Sequence, residues 1–144
     1  MVSDPQTARV VAIIADGRGR LLAKAICLLK GRGIVQKISL TALARTELAS
    51  AQTASSGRSS KTIYGGHERL LRQTLIALRA GETLAEHNNP GEATLHVLHG
   101  RIILRAGADS WSGWTGDLIT VPVLPHSVEA VEDSTLLLTV VKHR

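Results

Sequence analysis

Phenylalanine is absent from this chain, and the only aromatic rings of the benzene and indole type are Tyr64, Trp111 and Trp114. Any core must therefore be built from Leu, Val, Ile and Ala, which fill space by branching rather than by flat rings. A single cysteine, Cys27, excludes an internal disulfide and fits a reducing compartment. No apolar run approaches the roughly 20 residues that span a bilayer. The longest lie at residues 10–15 and 21–29, and Lys24 cuts the second. Asp4 and the lack of a small-residue cleavage site argue against a secretory signal. A cytoplasmic location without a membrane partner is expected.

What is present begins with charge. The formal net charge is +5 over 144 residues, but it is unevenly spread. Residues 1–36 hold six basic side chains (Arg9, Arg18, Arg20, Lys24, Lys30 and Arg32) against Asp4 and Asp16. Residues 37–144 hold eleven basic against ten acidic side chains, so the body of the protein is close to neutral. The location of the charge argues against a nucleic-acid partner for the body.

Three textures follow one another. Residues 1–36 read as a basic extension without stable structure of its own. Its stretch "LLAKAICLLK" is long enough for about three turns of helix, but short isolated helices are marginal in water. The run "VQKISLTAL", from Val35, has the look of a bacterial start site, so residues 1–34 are also open to the reading of a misplaced start. Residues 37–60 read as a helix over 38–53 followed by a Ser/Gly connector, "ASSGRSSK" at 54–61. Leu40, Leu43, Ala44, Leu48 and Ala51 share a face, and Ser39 serves as N-cap. The connector serines, Ser55, Ser56, Ser59 and Ser60, have no base beside them and read as solvated.

From residue 61 to 142 the period becomes two. Thr74, Ile76 and Leu78 alternate with Gln73, Leu75 and Ala77, and Leu95 and Val97 with Thr94, His96 and Leu98. Ile102 and Leu104 do the same, and β-rich runs follow at 118–121, 126–131 and 135–141. Turn residues break these runs at Gly65-Gly66, Pro90-Gly91, His99-Gly100, Gly107-Ala108-Asp109, Gly116-Asp117 and Glu132-Asp133. His99-Gly100 reads as a two-residue hairpin turn. Short strands at this spacing predict an all-β sandwich or barrel with a helical preface.

Two stretches carry the chemistry: "GETLAEHNNPGEATLHVLHGRI" from Gly81 and "WTGDLITVPVLPHSVEAV" from Trp114. Together they resemble the two motifs of the cupins, small double-sheet jelly rolls. The resemblance spans about residues 68–142, and implies a double-stranded β-helix barrel, a small-molecule ligand and pairing as a homodimer that covers the edge near Lys61 and Tyr64. Gly81 matches the opening Gly of the first motif and His87 its first histidine. Asn89 stands in place of the second histidine, and the glutamate position falls on Ala93 rather than Glu92. Gly116, Pro122 and His126 match the second motif, with the interval from Pro to His one residue short.

Half of the implied ligand set is thus replaced. The metal candidates are His87, Asn89, Glu92 and His126, and the implied cofactor is none or a weakly bound divalent transition metal. Adjacent strand residues face opposite ways, so if Ala93 lines the barrel Glu92 does not, unless a bulge after Pro90-Gly91 turns it. A ligand pocket is expected from His87, Asn89, Leu95, Val97 and His126, with the two imidazoles facing each other across the hollow. His96 is out of phase with Leu95 and Val97. It, His67, His99 and His143 read as structural or surface residues. Trp111 and Trp114 read as plugs of the core or of a barrel end, or as a pocket floor.

Three functions are compatible with these residues. The leading one is a non-catalytic binding or sensor protein with a partly lost metal site. The second is a metal-dependent enzyme of dioxygenase or isomerase type, in which case no residue beyond the metal candidates is marked as catalytic. The third is a DNA-binding regulator that reads with residues 20–53. Its segment "SLTALARTELAS" offers few polar side chains for a major groove.

Overall fold

The structure is a computed structural model that describes residues 14–15, 21–22, 35–89 and 91–143. The chain divides into two units, Met1–Lys37 and Ile38–Arg144. In the first, β1 (Ile14–Ala15) and β2 (Leu21–Leu22) pair antiparallel. Leu21 and Leu22 are therefore extended where the apolar stretch reads as the start of a helix; the rest of that stretch, like most of the arm, lies outside the described residues.

The second unit opens with α1 (Leu40–Thr53), whose Ser39 N-cap accepts a hydrogen bond from the Ala42 N–H at 3.3 Å. Nine strands follow: β3 (Arg58–Tyr64), β4 (Leu71–Leu78), β5 (Thr83–His87), β6 (Gly91–His99), β7 (Arg101–Ala106), β8 (Asp109–Trp114), β9 (Leu118–Thr120), β10 (His126–Ala130) and β11 (Ser134–Lys142). They form two antiparallel sheets, one of five strands in the order β3-β4-β11-β6-β9 and one of four in the order β5-β10-β7-β8. Apart from β3–β4 and the β7–β8 hairpin, each strand leaves one sheet and the next enters the other. That alternation is the jelly-roll winding expected from the sequence.

Three boundaries differ from the sequence reading. β3 starts at Arg58, so the last residues of the Ser/Gly connector are strand, paired with β4 from Arg58↔Leu78 onward. The segment β8, "DSWSGW", has no aliphatic alternation to announce it; its pairing with β7 makes it a strand. His99-Gly100 is not a hairpin turn, because β6 and β7 belong to different sheets. It is a corner. Gly100 has φ +87°, and a Cβ there would stand 2.3 Å from the Asp133 carbonyl oxygen. Only glycine fits both demands.

The core lies between the sheets. Ile76 and Leu78 of β4, Ala93, Leu95 and Val97 of β6, and Ile102 and Leu104 of β7 meet Val128, Ala130, Leu136 and Val140 there. β4 is buried on both faces, since Leu75 and Ala77 point away from this core and are still 0% exposed. Helix α1 packs against β3 and β4 on the outside of the five-stranded sheet. Its buried residues are Ala44 and Ala51, small enough to let the helix approach closely. Each fully buried Leu or Val contributes about 1.5–3 kcal/mol, which suffices for an aliphatic core.

Candidate functional site

His87 ends β5 and His126 begins β10, and the two are register partners on neighbouring strands. On β10, His126, Val128 and Ala130 alternate as buried residues, so His126 shares the inward face of the core. β5 would by simple alternation turn His87 outward, since Leu84 already faces the core. A register shift intervenes: Val128 pairs with Leu84 but His126 pairs with His87, three residues on β5 against two on β10. This bulge carries His87 back to the inward face. The rings stand with centroids 4.6 Å apart and planes tilted by 57°. They are cross-strand neighbours in one sheet rather than groups facing each other across the hollow, which corrects the expectation from sequence.

Each ring is held by a backbone carbonyl two residues upstream. His87 Nδ1 lies 2.8 Å from the Ala85 oxygen and His126 Nδ1 lies 2.9 Å from the Leu124 oxygen. A carbonyl oxygen only accepts, so each Nδ1 carries the hydrogen and donates it. In the neutral ring this leaves the Nε2 lone pair free, and neither Nε2 makes a hydrogen bond among the described residues. The result is two oriented acceptors side by side, one nearly sealed (His126, 3% exposed) and one open to solvent (His87).

Asn89, half-buried, follows two residues after His87. Its amide nitrogen is buried and has no hydrogen-bond partner among the described residues. Buried donors of this kind are rare and call for a partner.

Other expected residues fall elsewhere. Leu95 and Val97 do not line an open pocket; at 2% and 0% exposure they are sealed into the core. Glu92 is exposed and pairs with Val141, whereas Ala93 is buried and pairs with Val140. Strand alternation has put the methyl group inside and the carboxylate outside, and no bulge on β6 reverses it. Among the described residues no cluster of three His, Cys, Asp or Glu side chains is placed to hold a metal. His96 is on the outer face, opposite Leu137 and Leu118. His67, His99 and His143 are exposed.

Two residues join the site that sequence reasoning did not assign to it. The register rows of the four-stranded sheet run Leu84–Val128–Leu104–Trp111 and His87–His126–Ala106–Asp109. Side chains in a row share a face. Ala106, beside His126, is small and leaves space over the pair, and Trp111 flanks it one row away on the edge strand. Trp111 and Trp114 are 45% and 51% exposed, so neither plugs the core. Trp114, on the other face of β8, lies under the Arg101 guanidinium at 4.3 Å. Finding Ala106 from sequence would have required the β7–β8 register, which the apolar pattern of β8 does not encode.

No protein-family model and no curated protein matches the chain. Solved structures do. A conserved protein of unknown function from Streptococcus pyogenes is 27% identical, with TM-score 0.57, over 63% of this chain and 79% of that one. A cupin 2 conserved barrel domain protein from Leptotrichia buccalis is 29% identical, with TM-score 0.55, over 59% of this chain and 41% of that one. A salicylate 1,2-dioxygenase from Pseudaminobacter salicylatoxidans is 19% identical, with TM-score 0.58, over 69% of this chain and 33% of that one. Strand order, winding and these likenesses agree: the chain is a small cupin-fold protein.

Proposed function

We propose that this protein binds a small polar molecule at the His87–His126 end of its barrel and does no chemistry on it. The observation that carries this reading is the pair of imidazoles with both Nδ1 hydrogens committed and both Nε2 lone pairs unspent. Two neighbouring acceptors suit the hydrogens of a hydroxyl or ammonium group. The unpartnered Asn89 amide suits a carbonyl or carboxylate on the same ligand. A small hydroxy- or amino-acid fits that description.

The donor set does not fit a resident catalytic metal. Such a centre usually keeps three protein ligands beside an open position. Here there are two imidazoles, an amide that is a poor donor for transition metals, and a methyl group where the family carries its carboxylate. Two imidazoles alone make a weak, labile site. The fold is shared with a protein named as a dioxygenase, but fold does not carry activity.

The test combines elemental analysis of protein purified without chelator with a thermal-shift screen of small hydroxy- and amino-acids. Metal well below one equivalent is expected, together with a stabilising ligand whose effect is lost in His87→Ala. Near-stoichiometric Fe, Mn, Ni or Zn would replace this reading with a metal-dependent dioxygenase or isomerase.

A homodimer belongs to the same proposal. β3 is an edge strand of the five-stranded sheet and is exposed along most of its length, and such edges are usually covered. The regulator reading is less supported, because α1 turns its apolar face to the sheet and residues 23–34 lie outside the described residues.

A further inference from the structure

We propose a second ligand site on the outer side of the five-stranded sheet, independent of the barrel, that takes a medium-chain carboxylate. A cavity of about 400 Å³ opens between the first half of α1 and the ends of β6 and β11. Its apolar wall is formed by Leu40, Ala44 and Leu48, one stripe of the helix, with Leu98 of β6 facing them. Two groups able to carry positive charge, Arg45 and His99, also line it, and no acidic side chain does. Arg45 makes no ion pair among the described residues. Asp133, whose carboxyl feels His99, has both oxygens committed, one to the Ala80 N–H and one to Gln52.

A second observation points to a ligand. Thr135 lines the same cavity and is 1% exposed, yet its hydroxyl has no hydrogen-bond partner among the described residues. A valine would fill this position on β11 without leaving a buried donor unsatisfied. The hydroxyl and the Arg45 guanidinium together suit a carboxylate, and the leucines suit an alkyl chain. A neutral ligand would leave the cation unused, and a purely polar one would leave the wall wet.

The test uses octanoate and the full chain, followed by calorimetry and amide and imidazole NMR. Saturable binding of one octanoate per chain is expected, moving the amides of Ala44, Leu48 and Leu98 while the ring signals of His87 and His126 stay in place. Octanol binds at least about tenfold more weakly, as does octanoate to Arg45→Gln, since a hydrogen bond to a charged group is lost. Thr135→Val raises the melting temperature of the free protein and weakens octanoate severalfold. This conservative change is expected to fold even if Arg45→Gln does not. Absence of saturation, movement of the imidazole signals instead, equal binding of octanol, or indifference to Thr135→Val would each overturn the assignment. None of these outcomes depends on whether the barrel site is correctly read.

Discussion

His126 is close to sealed and its Nδ1–H is spent on the Leu124 carbonyl, so its replacement removes both a hydrogen bond and a ring from the edge of the core. His126→Ala is expected to cost about 2–3 kcal/mol in urea denaturation. His87→Ala, at an exposed position, is expected to change stability far less while removing half of the site. Long-range ¹⁵N correlation spectra should show both rings in the Nδ1–H form at pH 7.5; an Nε2–H ring would remove the free acceptor on which the site rests. Ala93 offers a gain rather than a loss. It faces inward where the family's carboxylate would be, so Ala93→Glu is expected to raise Zn²⁺ affinity above that of the parent, read by competition with a chromophoric chelator, at some cost in stability for a charge in the core. At this scale the sequence was informative about identity and not about direction. His87, Asn89 and His126 were visible from motif spacing, but the side to which His87 points depends on a one-residue bulge against β10, which involves a partner 39 positions away.

Elements are joined here by a few side chains, and Asp133 joins three. It sits between β10 and β11, accepts from Ala80 in the β4–β5 turn at 2.8 Å and from Gln52 near the end of α1 at 2.8 Å. The Ala80 N–H, then the Gln52 amide, hold its carboxyl below the ordinary value of 3.8, against a smaller opposing effect of burial. The sign follows from linkage. A depressed carboxyl stabilises the fold at every pH above its unfolded value, and that contribution is lost as pH falls through the lower folded value. The stability difference between the parent and Asp133→Asn is therefore expected to be constant from pH 7 to 5 and to shrink below about pH 4, measured by denaturation at each pH. Gly91 supplies a second test of element pairing. A Cβ there would lie 1.9 Å from the Val141 carbonyl oxygen in the β6–β11 ladder, so Gly91→Ala must push two backbones apart. A loss of about 2–3 kcal/mol or more is expected. Helix α1 and strands with regular alternation were legible because their periodicity is local. β8 and the start of β3 were not, since Asp, Ser and Arg become strand there only through the neighbour that pairs with them.

For the molecule as a whole, the proposed homodimer predicts a light-scattering mass of twice 15.3 kDa at micromolar concentration, and a proline at Ser60 on the β3 edge should shift it toward the monomer. A mass of one chain would leave β3 uncovered and remove that part of the proposal. Among the described residues no helix is long and apolar enough to cross a membrane, as the short apolar runs implied. Composition, alternation and turn residues determined by themselves that the chain would be an aliphatic β structure with one capped helix in front, and motif spacing supplied its winding. These are properties of neighbouring residues, so they survive in one dimension. Tertiary structure alone decided that Leu95 and Val97 fill the core instead of lining a pocket, that the imidazoles stand side by side in one sheet, and that Trp111 and Ala106 share their face. It also placed α1 so that a cavity with a stranded hydroxyl remains beneath it. Each of those outcomes is fixed by register and sheet packing between distant segments, for which hydrophobic pattern carries no address.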